Sequence, residues 1–503
     1  MQIGSIRSVE FRRDAGINLL RALLYAALVF LPSGGVFASE ANPDPRFGVV
    51  EAYQRPQAAQ ALGVGWDRLI IEWYRVQPLG PQHWLSVLPH GVQSRTAPDN
   101  RTYSNHMTFP LSTNDWQYQS QIAGREFAAV LMGTPAWATE GVPVRGVPSG
   151  LYLPVHHPEN YWANFVRRMV SDHRGLIKHW IIWNEPDISS DHPGAQFDGS
   201  VEDYYRLVKV AALAALEVDP GAVIHLGGLT FWHDVVYGRE PYLSRFLGVA
   251  MQDEGAAKEG YFFDVATVHV YFNTESVFTI IESQRKILRE FGLQKQVWLN
   301  ETNAAPMDDS MHPWNDPLIP VTMQQQASFM IQSTALAFAA GAERLAVYKL
   351  YDHVAPVHGH ESYGLIRWDG SLRPAATAYR LAIEMLSDFF RVKKNTHQKY
   401  HLVDFVGSSA VTHVAWAREA ESVILEVVAN PGANRANLVD QRGKVMQILA
   451  EDGYYRLELP AAVCADNGEC FVGGEPRMLV EYLGCDHYLP KHQRKCVLWL
   501  AAE

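Results

Sequence analysis

Two strand-like runs in this sequence finish on a glutamate. Trp180-Ile-Ile-Trp183 leads directly into Asn184-Glu185-Pro186, and Gln296-Val-Trp-Leu-Asn-Glu-Thr302 delivers Glu301 in the same way. The first run lacks polar alternation, as strands buried on both faces of a parallel sheet do. A carboxylate at the end of such a strand costs desolvation energy, so it needs a partner or a task. One such glutamate would pass as structural. Two of them, three strands apart, suit divided labour between a protonated acid and an ionised nucleophile.

The elements that must carry these residues follow from periodicity. Between about Arg46 and Phe390, short β-rich runs alternate with helical patterns. Strands are expected at Phe47–Ala52, Arg68–Trp73, Glu126–Met132, His179–Trp183, Val223–Gly227, Val265–Val270, Val297–Asn300 and Leu345–Leu350. Helices are expected at Tyr161–Ser171, Val201–Val218, Ser276–Phe291 and Gln324–Ala340. Eight strands separated by helices predict a (β/α)8 barrel with active residues at the C-terminal strand ends. A doubly wound sheet would want a Gly-x-Gly-x-x-Gly turn, which follows none of these strands. Beyond Phe390 the pattern alternates, at Val411–Ala417, Val423–Val428, Lys444–Ala450, Tyr454–Leu459 and Met478–Tyr482, and predicts a small C-terminal β-sandwich. The expected division is an export signal over 1–38, the barrel over 39–390 and the β domain over 391–503. With only Trp416 and Trp499 as tryptophans, that domain is expected to be a structural cover rather than a lectin.

Taken together, these motifs resemble clan A glycoside hydrolases, with families 39 and 5 the nearest in pattern. The resemblance rests on Asn184-Glu185-Pro186 after strand four and Glu301 on strand seven. It also rests on Arg68-Leu-Ile-Ile-Glu-Trp73, Gly133-Thr-Pro-Ala-Trp137, His269-Val-Tyr271 and Gly364-Leu-Ile-Arg-Trp-Asp-Gly-Ser-Leu-Arg-Pro374. It implies a retaining glycosidase, with Glu185 as acid/base and Glu301 as nucleophile. Arg68 and Tyr271 would support Glu301, Asn184 would meet the sugar 2-hydroxyl, and His269 would pack at the site edge. Trp137 would be a subsite wall. For Arg68 the alternative is an ion pair with Asp67 or Glu72. The chain departs from the pattern on strand eight, where Tyr348-Lys349-Leu350-Tyr351 replaces the usual aromatic anchor, often Trp. It departs again at Thr302-Asn303, where family 39 commonly has Trp-Asn. Trp73, Trp183, Trp232 and Tyr351 are read as core rather than sugar platforms.

Composition narrows the partners. The formal charge is −11, and loss of the first 38 residues, with four arginines against two acids, leaves −13. Such a surface repels phosphate, so nucleic acid and anionic membrane are set aside. No protein partner can be inferred. The mechanism requires no cofactor and no metal; His353, His358 and His360 read as a solvated loop. Arg7, Arg12 and Arg13, then an apolar run from Ala22 to Leu31, then Val36-Phe37-Ala38 read as a cleaved signal peptide. The run falls short of the roughly 20 residues that span a bilayer, although an uncleaved N-terminal anchor is the alternative. The destination is periplasmic or extracellular. All four cysteines lie near the C-terminus, and disulfides Cys464–Cys470 and Cys485–Cys496 are expected, one of three possible pairings. The expected substrate is an oligo- or polysaccharide. Two other readings stand beside this one: a non-hydrolytic carbohydrate-binding relative, acting as adhesin or sensor, and a hydrolase for uronic-acid-containing glycans in which Lys349 pairs with the sugar carboxylate.

Overall fold

The computed structural model describes residues 43–84, 94–96, 102–104, 124–311, 319, 321–352 and 362–483. Eight parallel strands close into a barrel: β1 (Phe47–Val50), β2 (Trp66–Glu72), β3 (Glu126–Met132), β4 (His179–Ile182), β5 (Val223–Leu226), β6 (Val265–Tyr271), β7 (Gln296–Asn303) and β8 (Arg344–Val347). Neighbours pair in chain order, and β8 returns to β1 through Phe47↔Leu345 and Gly48↔Ala346. This is the expected barrel. Its strands are buried along nearly their whole length, which is why they read as apolar runs.

The N-terminal end of the barrel interior is plugged with rings. Trp66 and Trp298 lie 5.3 Å apart, and His179 and His225 pack against Trp298 at 4.9 and 4.6 Å. Gly48 makes room for this layer, since a Cβ there would sit 2.3 Å from the Trp66 indole. Burial, with Arg344 nearby, pushes His179 down to about 3, so this floor carries neutral imidazoles. Arg344 stacks over Trp298 at this floor; the buried Arg68 and Glu301 belong to the opposite, C-terminal end, where barrels of this kind do chemistry.

The principal helices are α1 (Pro56–Leu62), α2 (Tyr161–Asp172), α3 (Val201–Val218), α4 (Tyr242–Ala250), α5 (Thr274–Glu290), α6 (Met323–Ala339) and α7 (Pro374–Leu386). Polar caps start the long ones: Asn160 for α2, Asn273 for α5, and reciprocal capping boxes Ser200/Asp203 and Thr322/Gln325 for α3 and α6. Each cap satisfies backbone N–H groups that the first turn leaves unpaired. Helix α6 is buried almost all round. It lies between the barrel and the C-terminal sheet, and its buried polar groups are matched on both sides: Gln326 donates to Asn303 of β7, and Gln332 to the Gly474 carbonyl.

That sheet has six strands in the order β9 (Phe389–Thr396), β10 (Tyr400–Gly407), β11 (Ala410–Ala417), β16 (Arg477–Tyr482), β13 (Arg435–Asp440) and β14 (Val445–Leu449). A two-stranded ribbon, β12 (Val423–Val428) and β15 (Tyr454–Leu459), covers it. Alternation assigns the faces. Val403, Phe405, Val414, Trp416 and Met478 join the barrel core, whereas Ala415, Ala417 and Leu479 pack with Leu425, Val427 and Leu457 of the ribbon. The expected sandwich is therefore present, with one face of its main sheet continuous with the barrel core. Trp416 is 1% exposed and belongs to that shared core.

The Cys464–Cys470 disulfide is formed. It closes a loop next to Phe471, whose carbonyl accepts from the Thr274 backbone N–H at the start of α5. Cys485, Cys496 and Trp499, the histidines 353, 358 and 360, and the N-terminal segment read as a signal or anchor all lie outside the described residues. Among the described residues, no helix is long and apolar enough to cross a membrane.

Candidate active site

At the C-terminal end of the barrel, six of the expected residues converge. Arg68 is fully buried, its guanidinium 2.6 Å from Glu301 Oε1 and 2.7 Å from Asn184 Oδ1. The alternative pairing of Arg68 with Asp67 is not the one observed: Asp67 accepts the backbone N–H groups of Ala52 and Tyr53, and Glu72 pairs with Arg75. The Tyr271 hydroxyl donates to Glu301 Oε2. His269 Nδ1 lies 2.7 Å from Glu185 Oε1 and 3.6 Å from Glu301 Oε2. One oxygen of Glu185 and one of Glu301 are within 4.8 Å of each other.

The two carboxylates are held differently. Burial pushes the Glu301 carboxyl up, but the charges of His269 and Arg68 and the Tyr271 hydrogen bond outweigh it and hold the group below the usual carboxylate range. Glu301 is thus stabilised as an anion. Glu185 meets His269 on one oxygen and the Gln196 amide on the other, at 2.9 Å. Gln196 also accepts from Asn184 Nδ2 at 3.1 Å.

Backbone irregularities aim both groups. Trp183 and Glu185 have φ of 71° and 44°, the left-handed region that non-glycine residues enter at a cost, often at functional sites. The Glu185 N–H donates to the Gly228 carbonyl at 3.1 Å. Gly228 cannot carry a side chain, because a Cβ would fall 1.9 Å from His269 Nε2. In β7, Trp298 packs against rings of β2, β4 and β5, so it faces the barrel interior. Glu301, three positions on, faces it too. A regular strand would put these two on opposite faces. The chain resolves the conflict with a bulge: Val268↔Leu299 is followed by His269↔Glu301, and Asn300 is the extra residue. Asn300 is fully buried, and neither atom of its side-chain amide finds a partner among the described residues.

Other expected residues lie further out. Trp137 packs edge-on against Trp73 and Tyr161 and gives its indole N–H to the Gln77 carbonyl at 2.7 Å; its described contacts join it to an aromatic stack rather than to either glutamate. Trp73 and Trp183 are wholly buried, as core residues should be. Lys349 Nζ stands 3.4 Å from Glu51 Oε2.

Four residues of the mouth were not singled out from sequence as site residues: Gln196, Glu51, Tyr348 and Tyr363. The rings of Tyr271, Tyr348 and Tyr363 form a triangle with centroids 5.3–6.1 Å apart, and Asn303 ties it down by donating to the Tyr348 and Tyr363 carbonyls. The Tyr348–Lys349 peptide is cis. Tyr348 immediately follows β8 and opens the tetrapeptide that departs from the family pattern.

Among the described residues, Glu185, His269 and Glu301 are also the group whose donor atoms converge as a cation would need. The Arg68 guanidinium already neutralises Glu301 from 2.6 Å, and a second positive charge at that distance would be repelled. The donor set therefore fits proton transfer and nucleophilic attack better than metal binding.

No family model matches the sequence, and no curated protein matches it. Solved structures do share the fold. A family 39 glycoside hydrolase from the gut symbiont Bacteroides cellulosilyticus WH2 aligns with a TM-score of 0.62 and 17% identity, over 87% of this chain and 81% of that one. A monomeric β-xylosidase from Caulobacter crescentus CB15 gives 0.53 and 11%, over 88% and 97%. A family 30 endoxylanase from Clostridium papyrosolvens C71 gives 0.53 and 11%, over 88% and 98%. The fold is shared with these structures over most of the chain, and the expected likeness to family 39 holds at the level of fold.

Proposed function

We propose that the protein is an exported retaining β-glycosidase acting on an oligo- or polysaccharide. The observation that carries this reading is that one carboxylate oxygen of Glu185 and one of Glu301 come within 4.8 Å, with Glu301 alone locked to an arginine. A nucleophile and an acid serving the same bond need carboxyls about 5–5.5 Å apart, whereas an inverting pair needs about 6.5–9.5 Å to admit a water. In the first step Glu301 attacks the anomeric carbon while protonated Glu185 gives its proton to the departing glycosidic oxygen. In the second, Glu185 takes a proton from water, the water oxygen bonds to the anomeric carbon, and Glu301 leaves as a carboxylate. Arg68 and Tyr271 hold the charge that Glu301 starts and ends with. One amide hydrogen of Asn184 goes to Gln196; the other is available to the sugar 2-hydroxyl.

The names of the structural neighbours, a xylosidase and an endoxylanase among them, make a saccharide the first class to test. Export draws support from the N-terminal pattern and from the disulfide. The deciding experiment is a hydrolysis screen over a wide glycan panel with mass-spectrometric product analysis, followed by NMR of the first-formed anomer. Retention is expected. An inverted first product, undiminished turnover by Glu301→Ala, or sugar binding without products across the panel overturns the reading. Secretion is checked by sequencing the N-terminus of the protein recovered outside the cytoplasm.

A further inference from the structure

Glu51 directly follows β1, and Lys349 follows β8 by two residues, so the pair closes the seam of the barrel on its catalytic side. The ammonium and carboxylate are 3.4 Å apart and each side chain is 14% exposed. The pair is coupled to the nucleophile through two rings. The Lys349 ammonium lies 5.8 Å from the centroid of Tyr348, and that ring lies 6.1 Å from Tyr271, which binds Glu301. Burial first, then the charges of Glu301 and Glu51, raise the Tyr348 hydroxyl above its ordinary value. The Glu51 backbone, at φ 63°, donates its N–H to the carbonyl of Arg68. Gln54 donates to Glu51 Oε2 at 3.2 Å and keeps a buried Oε1 that has no partner among the described residues.

Position decides which part of a substrate this pair meets. Glu185, just beyond the end of β4, marks the side where the leaving group departs. Strands β8 and β1 lie across the barrel from it, beside the sugar that becomes bonded to Glu301. Building on the retaining-glycosidase reading, we infer that Glu51 and Lys349 form a charge-balanced clamp for neighbouring hydroxyls of a neutral sugar, and that the clamp excludes sugars bearing a carboxylate. A strong acceptor beside a strong donor complements two adjacent hydroxyls, each of which can donate and accept. A uronic acid would bring a second carboxylate to Glu51, and the lysine able to receive it is already neutralised. The device selects by repulsion as well as by contact. It turns the lysine from a uronate receptor into one half of a hydroxyl clamp.

The test compares kcat/KM on matched aryl β-xyloside, β-glucoside and β-glucuronide. Wild type should favour a neutral glycoside. Glu51→Gln leaves Lys349 unbalanced and should raise the acidic-to-neutral ratio at least about tenfold, as relief of a like-charge contact does. Lys349→Met leaves Glu51 unbalanced and should raise KM for the neutral sugar, with a larger loss on the glucuronide that lowers the ratio further. Unchanged ratios in both variants, with a lowered Tm, would make the pair a structural ion pair only and overturn the inference; so would a wild type that prefers the glucuronide. Calorimetric titration with free xylose and free glucuronate reads the same preference without turnover. A protein that hydrolyses nothing yet binds xylose over glucuronate in a Glu51-dependent way keeps the clamp and loses the glycosidase. One that hydrolyses neutral glycosides with no such dependence keeps the glycosidase and loses the clamp.

Discussion

His413 in the C-terminal sheet uses both ring nitrogens: Nδ1 is 2.8 Å from Asp404 and Nε2 is 3.1 Å from Glu481. At the barrel mouth, His269 meets Glu185 and Glu301 through Nδ1 alone, and its Nε2, pressed towards Gly228, finds no partner. Each histidine stands between two carboxylates, yet the networks differ in kind. In the sheet the circuit is closed, because Glu481 also takes the backbone and side-chain N–H groups of Asn430. Every member is satisfied, so the cluster fixes a position and does nothing further. At the mouth the circuit is open. Two carboxylates share one nitrogen, one of them is locked to Arg68, and the proton in between has more than one place to go. The geometry of satisfaction, rather than the residue types, separates a structural cluster from a reactive one.

Breaking the open network should cost activity and breaking the closed one should cost stability. The largest effect is expected at the nucleophile: Glu301→Gln, which keeps a hydrogen bond for Arg68, should lose roughly 10⁴–10⁶-fold in kcat. Steady-state kinetics with circular dichroism will show whether the fold persists. Next comes His413→Leu, which strands two carboxylates in the sandwich and should destabilise by about 3–5 kcal/mol, with kcat per folded molecule unchanged; urea unfolding and active-site titration separate the two readings. His269→Asn should lower kcat about 10²-fold through lost control of the Glu185 proton and displace the pH–rate profile, while unfolding midpoints move little. A large stability loss with an unmoved profile would make the mouth histidine structural like its counterpart.

The smallest effect is in pH dependence. Burial alone would lower His413, but Asp404 and Glu481 raise it to about 9. Its folded value therefore lies above its unfolded value of about 6.5. The stability it contributes is complete below about pH 6.5 and is lost as pH rises through about 9, at up to about 1.4 kcal/mol per pH unit. His179, held down to about 3, works in the opposite sense: its share is present above about pH 6.5 and is lost as pH falls towards 3. Thermal melts between pH 4 and 10 should show both slopes, and His413→Leu should remove only the alkaline one.

The barrel was legible because its strands are apolar to their ends and stop on polar residues, as Trp180–Glu185 does. Strands β9, β10 and β13 were not. Arg391, Lys393 and Lys394 give β9 a solvated sequence suited to an exposed sheet edge, and β13 carries Arg435, Asn437 and Asp440. The same holds in the site. Arg68, His269 and Tyr271 lie on strands, and Glu185 and Glu301 stand where apolar runs give out, so all five could be located from the sequence, although the turn at Glu185 and the bulge before Glu301 that aim them could not. Gln196 reaches Glu185 from a loop, and Glu51 meets Lys349 only when the barrel closes on itself. Such encounters have no spacing to read. Trp137 shows the converse, since a correct strand-end position did not reveal that its indole N–H serves the Gln77 carbonyl.

The bulge at Asn300 has a consequence for how this chain can vary. Side chains on a strand alternate in direction, so a single additional residue reverses the parity of everything after it. Glu301 reaches the barrel interior because the count from Trp298 is odd and the chain absorbs the odd step at position 300. Without the bulge, a regular strand of the same length would turn the nucleophile towards the helices and silence the protein without removing a functional atom. Deleting Asn300 removes the odd step and the bulge together, so a regular strand would keep the glutamate on the interior face. The extra residue is therefore tolerated only with the irregularity that absorbs it.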